Sequence, residues 1–144
     1  MIDDAAVQAA LEGPLIAAAG ELPAVYRKSQ TITEDPDGRT QHLRLLLIRT
    51  SEKKVSTALT IAAGMLQVEV WCPRSASVGI GAVDPGLILA GTVKNLYLPL
   101  DRHLSELVRV EAVEILTTMD SDDRLWTITP VQVDFRVEMI DGST

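Results

Sequence analysis

The chain has 144 residues, enough for a single domain that buries about 70% of its unfolded surface without disulfide or metal staples. Hydrophobic residues make up 47% and run through the whole chain, which excludes a disordered protein; only 3% are aromatic, so Val, Leu, Ile and Ala must build the core. A net charge of −7 repels phosphate backbones, and the only adjacent basic pairs, Arg27-Lys28 and Lys53-Lys54, have no interleaved aromatics to stack bases, which argues against nonspecific nucleic-acid binding.

Residues 3–19 predict a helix. Asp3 or Asp4 can cap its first free amides and suits the positive end of the helix dipole. Val7, Ala10, Leu11, Leu15 and Ala18 recur at spacings of three and four. Pro14 has no amide donor and crowds the preceding turn, so a kink or restart is expected there, with Gly20 and Pro23 ending the helix. "AVYRKSQTIT" is rich in β-branched and aromatic residues and predicts a strand. "EDPDGR" supplies a tight turn, in which Pro36 fixes one φ and Gly38 accepts a positive one, making "QHLRLLLIR" the second strand of a hairpin. "TSEKKVSTAL" is polar without a helical stripe and predicts a mobile loop or an extended hairpin tip.

"TIAAGMLQVEVWCP" returns to strand, with Leu66, Val68, Val70 and Cys72 on one face, Gln67, Glu69 and Trp71 on the other, and Pro73 as the stop. Residues 85–97 predict a second helix whose stripe is Leu89, Val93, Leu96 and Leu100, weakened by Gly91. "LVRVEAVEIL" alternates through Val108, Val110 and Ala112 or Val113, and "TMDSDDR" is a turn. In "LWTITPVQVDFRVEMI", Val131, Val133, Phe135, Val137 and Met139 face one way and Gln132, Asp134, Arg136 and Glu138 the other; Pro130 is expected at a bulge or an edge. The order α-β-β-β-α-β-β predicts a single α+β domain, a mostly antiparallel sheet with two helices packed on one face.

Candidate chemistry is sparse. Gly79-Ile80-Gly81 lies between a strand and a helix, as in dinucleotide-binding turns, but the third glycine position holds Asp84, whose carboxylate would repel a pyrophosphate. Asp84 and Pro85 read instead as N-cap and first helical residue. Asp35 and Asp37, and Asp120, Asp122 and Asp123, lack the glycine and glutamate spacing of a calcium loop and read as turn residues. Ser51 to Lys54 forms S-x-x-K without the partner motifs of penicillin-recognising enzymes. His42 and His103 have no metal-ligand spacing, and the single Cys72 excludes an intrachain disulfide and reads as a buried, inert thiol. The expectation is a protein without catalytic residue, cofactor or metal. "MIDDAAVQAALEG" has neither the basic start nor the apolar core of a signal peptide, and no apolar run approaches about 20 residues, so no membrane association is expected.

In the order of its elements the chain resembles the tail terminator family of long-tailed bacteriophages and their prophage relatives, over about residues 5 to 139. "VQAALEGPLIAAAGELPAV" is similar to the family's opening helix, which ends in a Pro-containing turn. "PDGRTQHLRLLL" resembles its first long strand, "AAGMLQVEVWCP" its central strand, led by a small residue and closed by Pro, and "WTITPVQVDFRV" its closing strand. The resemblance implies an α+β fold assembling as a homo-hexameric ring at the tail–neck junction of a virion. Such a ring caps the tail tube, stops its polymerisation and offers a surface for head attachment. The implied partners are a second copy of the chain, the tail tube protein and a head-completion or connector protein, with DNA passing through the ring without specific binding. Trp71, Tyr97 and Trp126 are candidate interface aromatics, core being the ordinary fate of each. The polar stretch 50–62, with Ser51, Glu52, Lys53, Lys54, Ser56 and Thr57, is the candidate contact with tube or neck. The rival readings are another neck component, such as a head–tail connector or tail-completion protein; a small-ligand or nucleotide-binding protein using residues 78–86; and a monomeric interaction module.

Overall fold

The computed structural model describes residues 3–27, 40–74 and 84–140. Helix α1 (Asp4–Ala17) is followed by a 3-10 turn (Ala19–Glu21) and strands β1 (Val25–Arg27), β2 (His42–Ser56) and β3 (Leu59–Pro73). Helix α2 (Pro85–Leu96) leads to β4 (Val108–Ile115), β5 (Met119–Asp120) and β6 (Trp126–Ile140). The strands form one 6-stranded sheet in the order β1-β2-β3-β6-β4, with β5 also on β6. All pairings are antiparallel except β1 with β2, which is parallel.

That parallel pair overturns the hairpin expected from the Asp-Pro-Asp-Gly turn, and the sheet is mixed. Val25 faces Leu43 and Arg27 faces Leu45 in register. Residues 28–41 separate the two strands, a connection long enough to cross over rather than fold straight back. The turn residues themselves, with Asp35, Pro36, Asp37 and Gly38, lie outside the described residues.

Alternation decides which face is buried. Leu66, Val68 and Val70 of β3, Val131, Val133, Phe135 and Val137 of β6, and Val108 and Val110 of β4 share one core with Val7, Leu11 and Leu15 of α1 and Leu89, Ala90 and Val93 of α2. Both helices therefore cover the same side of the sheet. A register shift between Val110 and Ala112 settles β4: Ala112 turns to the outer face opposite Asp134, and Val113 faces the core opposite Val133.

Helix α1 runs through Pro14 without restarting. An interior proline costs about 3 kcal/mol, but burying Leu11 and Leu15 on either side returns about 1.5–3 kcal/mol each, so packing outweighs propensity. Asp3 caps the helix, its carboxylate accepting from the amides of Ala5 and Ala6. Asp84 caps α2 by accepting from the Gly86 amide at 2.8 Å, and Pro85 occupies the first turn as the sequence predicts. The expected stripe breaks past the helix end: Leu100 is exposed, and Tyr97 fills the core in its place.

Pro130 sits inside the central β6, opposite Glu69. Its carbonyl accepts from the Leu116 amide at 2.9 Å. In an extended residue the amide position points the same way as the carbonyl. The missing donor therefore faces the gap between β4 and β5, which is locally an edge.

Gly64 permits the closest backbone approach in the sheet. A Cβ there would collide with the Ile48 carbonyl oxygen and lie 2.8 Å from Phe135 Cζ. The Phe135 ring thus lies over the glycine across the strand pair, beside the register shift of β2 between Arg49 and Ser51. Gly64→Ala is expected to lower stability by about 1–3 kcal/mol, the range for overpacking. A urea midpoint unchanged from the parent would show that β2 yields freely at this point.

Candidate interaction surface

The sheet face turned away from the helices carries the most organised side-chain cluster. Strand register places His42 of β2 opposite Trp71 of β3, and Trp71 opposite Ile128 of β6. The His42 ring stacks on Trp71 at 5.8 Å and meets Trp126 edge-on at 5.0 Å, while Tyr26 approaches it edge-on at 5.7 Å. Trp71 and Trp126 are 5.9 Å apart, a distance at which edge-to-face aromatic pairs gain energy beyond their buried area.

Arg44 completes the cluster. Its guanidinium carbon lies 3.5 Å from the centre of the Trp71 ring, a cation–π geometry. Its Nε donates to His42 Nε2 at 2.9 Å, and His42 Nδ1 lies 2.9 Å from the Thr40 carbonyl oxygen. An arginine can only donate, so Nε2 accepts and the imidazole proton sits on Nδ1. Trp71 Nε1 donates to Glu69 Oε1 at 3.2 Å. Burial lowers the Arg44 pKa, and the nearby Glu69 charge opposes that shift.

Both His42 ring nitrogens, Trp71 Nε1 and Arg44 Nε are spent on neighbours in the same chain. Among the described residues, no three His, Cys, Asp or Glu side chains gather as metal ligands. What the arrangement offers is a rigid, half-buried aromatic and cationic surface.

The residues singled out in the sequence scatter. Trp71 and Trp126 come together in this cluster, Trp71 half-buried and Trp126 buried beneath it. Tyr97 lies on the other side of the sheet, wholly in the core, where its hydroxyl donates to the Leu11 carbonyl at 2.7 Å; burial first, then the Glu12 charge, pushes its pKa up. Ser51 to Thr57 end the β2–β3 hairpin, so of the two expectations the extended tip holds. Glu52, Lys53, Lys54, Ser56 and Thr57 are exposed there, the side chain of Ser51 lying outside the described residues. Glu52 pairs with Arg49 at 3.2 Å, and Arg49 also pairs with Asp4 of α1, tying the arm to the body.

Gly79, Ile80 and Gly81 lie outside the described residues. Asp120 pairs with Arg74 at 3.2 Å, and Asp123 accepts from Ser121 and the Leu125 amide, which holds its pKa down. Cys72 is buried and its thiol pKa is raised, by burial and then by Asp84. His42, Arg44 and Tyr26 were not candidates from the sequence. The available signal was the i, i+2 pairs His42/Arg44 and Glu69/Trp71 on two strands, which acquire meaning only once their register is known.

On the helix side, Glu12 binds Arg27 through two bonds of 2.8 and 2.9 Å and accepts from Gln8 at 3.1 Å. This pair fastens the short edge strand β1 to α1, beside a groove lined by Leu15, Leu22, Val25 and Leu45. No helix among the described residues is long and apolar enough to cross a membrane.

The elements together define a small α+β protein with a mixed sheet and two helices on one face. No family model and no curated protein matches the chain. Solved structures do. A protein named only by a sequence identifier is 20% identical with a TM-score of 0.64, the match covering 95% of this chain and 96% of that one. A chain of the virion of a native gene transfer agent particle is 18% identical with a TM-score of 0.56, covering 92% of this chain and 93% of that one. At such identities the likeness is one of fold.

The Glu12 pKa is lowered, chiefly by its hydrogen bond to Arg27. A depressed carboxylate contributes stability above its unfolded pKa and loses it as pH falls through the folded value. Stability measured from neutral pH to below the ordinary glutamate range should fall, and Glu12→Gln should flatten part of that fall. Identical pH profiles for parent and variant would remove this pair from the account of acid sensitivity.

Proposed function

We propose that this chain is a structural component of a phage-type tailed particle, and within it the tail terminator. In this reading it forms a ring that caps the tail tube, stops its polymerisation and presents a surface for head attachment. The observation that carries the proposal is the fold likeness to a gene transfer agent virion chain across nearly the full length of both chains. The pattern of opening helix, Gly-led central strand and alternating closing strand supports the finer assignment.

The physical character of the molecule agrees with that role. A closed ring needs two different surfaces on each copy that fit each other, a heterologous contact. The chain offers several distinct surfaces: the aromatic sheet face, the exposed β2–β3 arm and the helical layer. A net charge of −7 would keep a passing DNA from sticking to the ring. No step of this function requires a catalytic residue or a cofactor.

Native mass spectrometry over a wide concentration range tests the ring, with a six-subunit species growing with concentration as the expected result. Adding the protein to polymerising tail tube protein tests the cap: tubes should stop lengthening and carry a terminal ring in electron micrographs. A stable dimer, together with tubes that elongate unchanged, would refute the assignment.

A further inference from the structure

Arg44 is a half-buried arginine that holds no carboxylate. Arg27, Arg49, Arg74, Arg109 and Arg136 each have one at 3.8 Å or less. Among the described residues none pairs with Arg44, whose contacts are the Trp71 ring and His42 Nε2. Carboxylates are not scarce, since the chain has 20 Asp and Glu against 13 Lys and Arg. Glu69 lies opposite Arg44 in register and acts on its charge. It does not pair with it; its Oε1 accepts from Trp71 Nε1 instead.

The guanidinium is nevertheless held in place. Its Cζ lies 3.5 Å from the centre of the Trp71 ring, a separation that two flat groups reach by stacking. Its Nε donates to His42 Nε2 at 2.9 Å. His42 is itself fixed, by the Thr40 carbonyl at Nδ1 and by ring contacts with Tyr26, Trp71 and Trp126. An arginine side chain ordinarily loses rotamer freedom when it binds; here much of that freedom is already gone.

One of the five donors of Arg44 is spent. The four N–H groups on Nη1 and Nη2 meet no acceptor among the described residues. They stand on the sheet face that no described helix covers. A planar pair of nitrogens matches the two oxygens of a carboxylate or of a phosphate. Charge decides between them. Glu69 beside the site and a net charge of −7 repel a dianion or a nucleic-acid backbone more than a single carboxylate.

We propose that Arg44, stacked on Trp71, is a binding site for an acidic side chain of a partner protein. Both oxygens of the partner's carboxylate accept from Nη1 and Nη2, and the chain beside it packs on Trp71 and on Leu46, which is half-buried on the same face. His42 is a positioning residue, holding the guanidinium through Nε. The site goes beyond the tail reading and does not depend on it.

A titration followed by NMR tests this. The probe is a short acetylated and amidated peptide with one glutamate between two leucines, and the control replaces that glutamate by glutamine. The Trp71 indole and Arg44 guanidinium signals should shift and saturate with the glutamate peptide, and the glutamine peptide should bind at least about tenfold more weakly. Arg44→Lys keeps the charge and removes the fork, so it too should weaken binding about tenfold. Arg44→Met keeps a stem over Trp71 and should abolish the preference for glutamate. Thermal melting and near-ultraviolet circular dichroism establish that each variant is folded, and the comparison stands on whichever is. Equal binding of the two peptides would overturn the proposal, as would an Arg44→Lys variant that binds like the parent. Inorganic phosphate binding as tightly as the glutamate peptide would overturn the carboxylate assignment. Self-association of the parent that is lost in Arg44→Lys would overturn the foreign partner in favour of a second copy.

Discussion

Strand length against helix length shapes this molecule. β2, β3 and β6 each have 15 residues and so extend roughly 50 Å. α1 and α2 have 14 and 12 residues and reach only about 20 Å each. Two such helices cover the middle of one sheet face and no more. The hairpin end stands beyond them as an arm, and among the described residues no helix lies over the opposite face. The interaction surfaces considered above follow from that mismatch, including the ion pairs of Arg49 that hold the arm's base to α1.

The uncovered sheet face solves its exposure internally. Its aromatic residues bury one another, and its charged and polar groups are placed where register supplies a partner. Arg44 lies on Trp71 and donates to His42, Trp71 donates to Glu69, and Gln132 donates to Asp134 at 3.0 Å. Further along, Arg109 and Arg136 are direct cross-strand neighbours, an unfavourable pairing of like charge. Glu138 lies 3.9 Å from Arg109 and 3.0 Å from Arg136, and Glu111 3.8 Å from Arg109, which offsets it. At a third or more exposed, these pairs contribute little energy and chiefly fix orientation.

Most of the fold was legible because period-2 alternation and helix caps are local signals. β6 reads correctly from Val131 to Val137 because one face is buried along that stretch, and α2 starts where Asp84-Pro85 says it does. The β1–β2 pairing was not legible: a strong turn signal argues for a hairpin, while parallel pairing depends on where a distant segment of chain is placed. Pro14 misleads for a related reason, since propensity sees the lost hydrogen bond and not the buried Leu11 and Leu15. The aromatic cluster was half legible. Trp71 and Trp126 stand out in a chain this poor in aromatics, but His42 and Arg44 join them only through register. Tyr97 stands out equally and lies in the core, because an aromatic beyond a helix end can turn to either side.

The two faces of the domain therefore differ in kind. Around Trp71 the sheet face is tied to itself, its ring nitrogens and Arg44 Nε matched within the chain, whereas Arg109 Nε and Arg136 Nε further along are buried without a well-formed hydrogen bond. The helical face has nothing comparable. Its outermost stretch is largely alanine, glycine, leucine and isoleucine, and among the described residues nothing lies within 4 Å of a Cβ added at Gly13 or Gly91. Glycine inside a helix gives up stability relative to alanine, and neither position has a positive φ or a crowded neighbour to require it. Both glycines are tolerated rather than required: the buried Leu11 and Leu15 flank Gly13, the buried Ala90 and Val93 flank Gly91, and that packing offsets the loss.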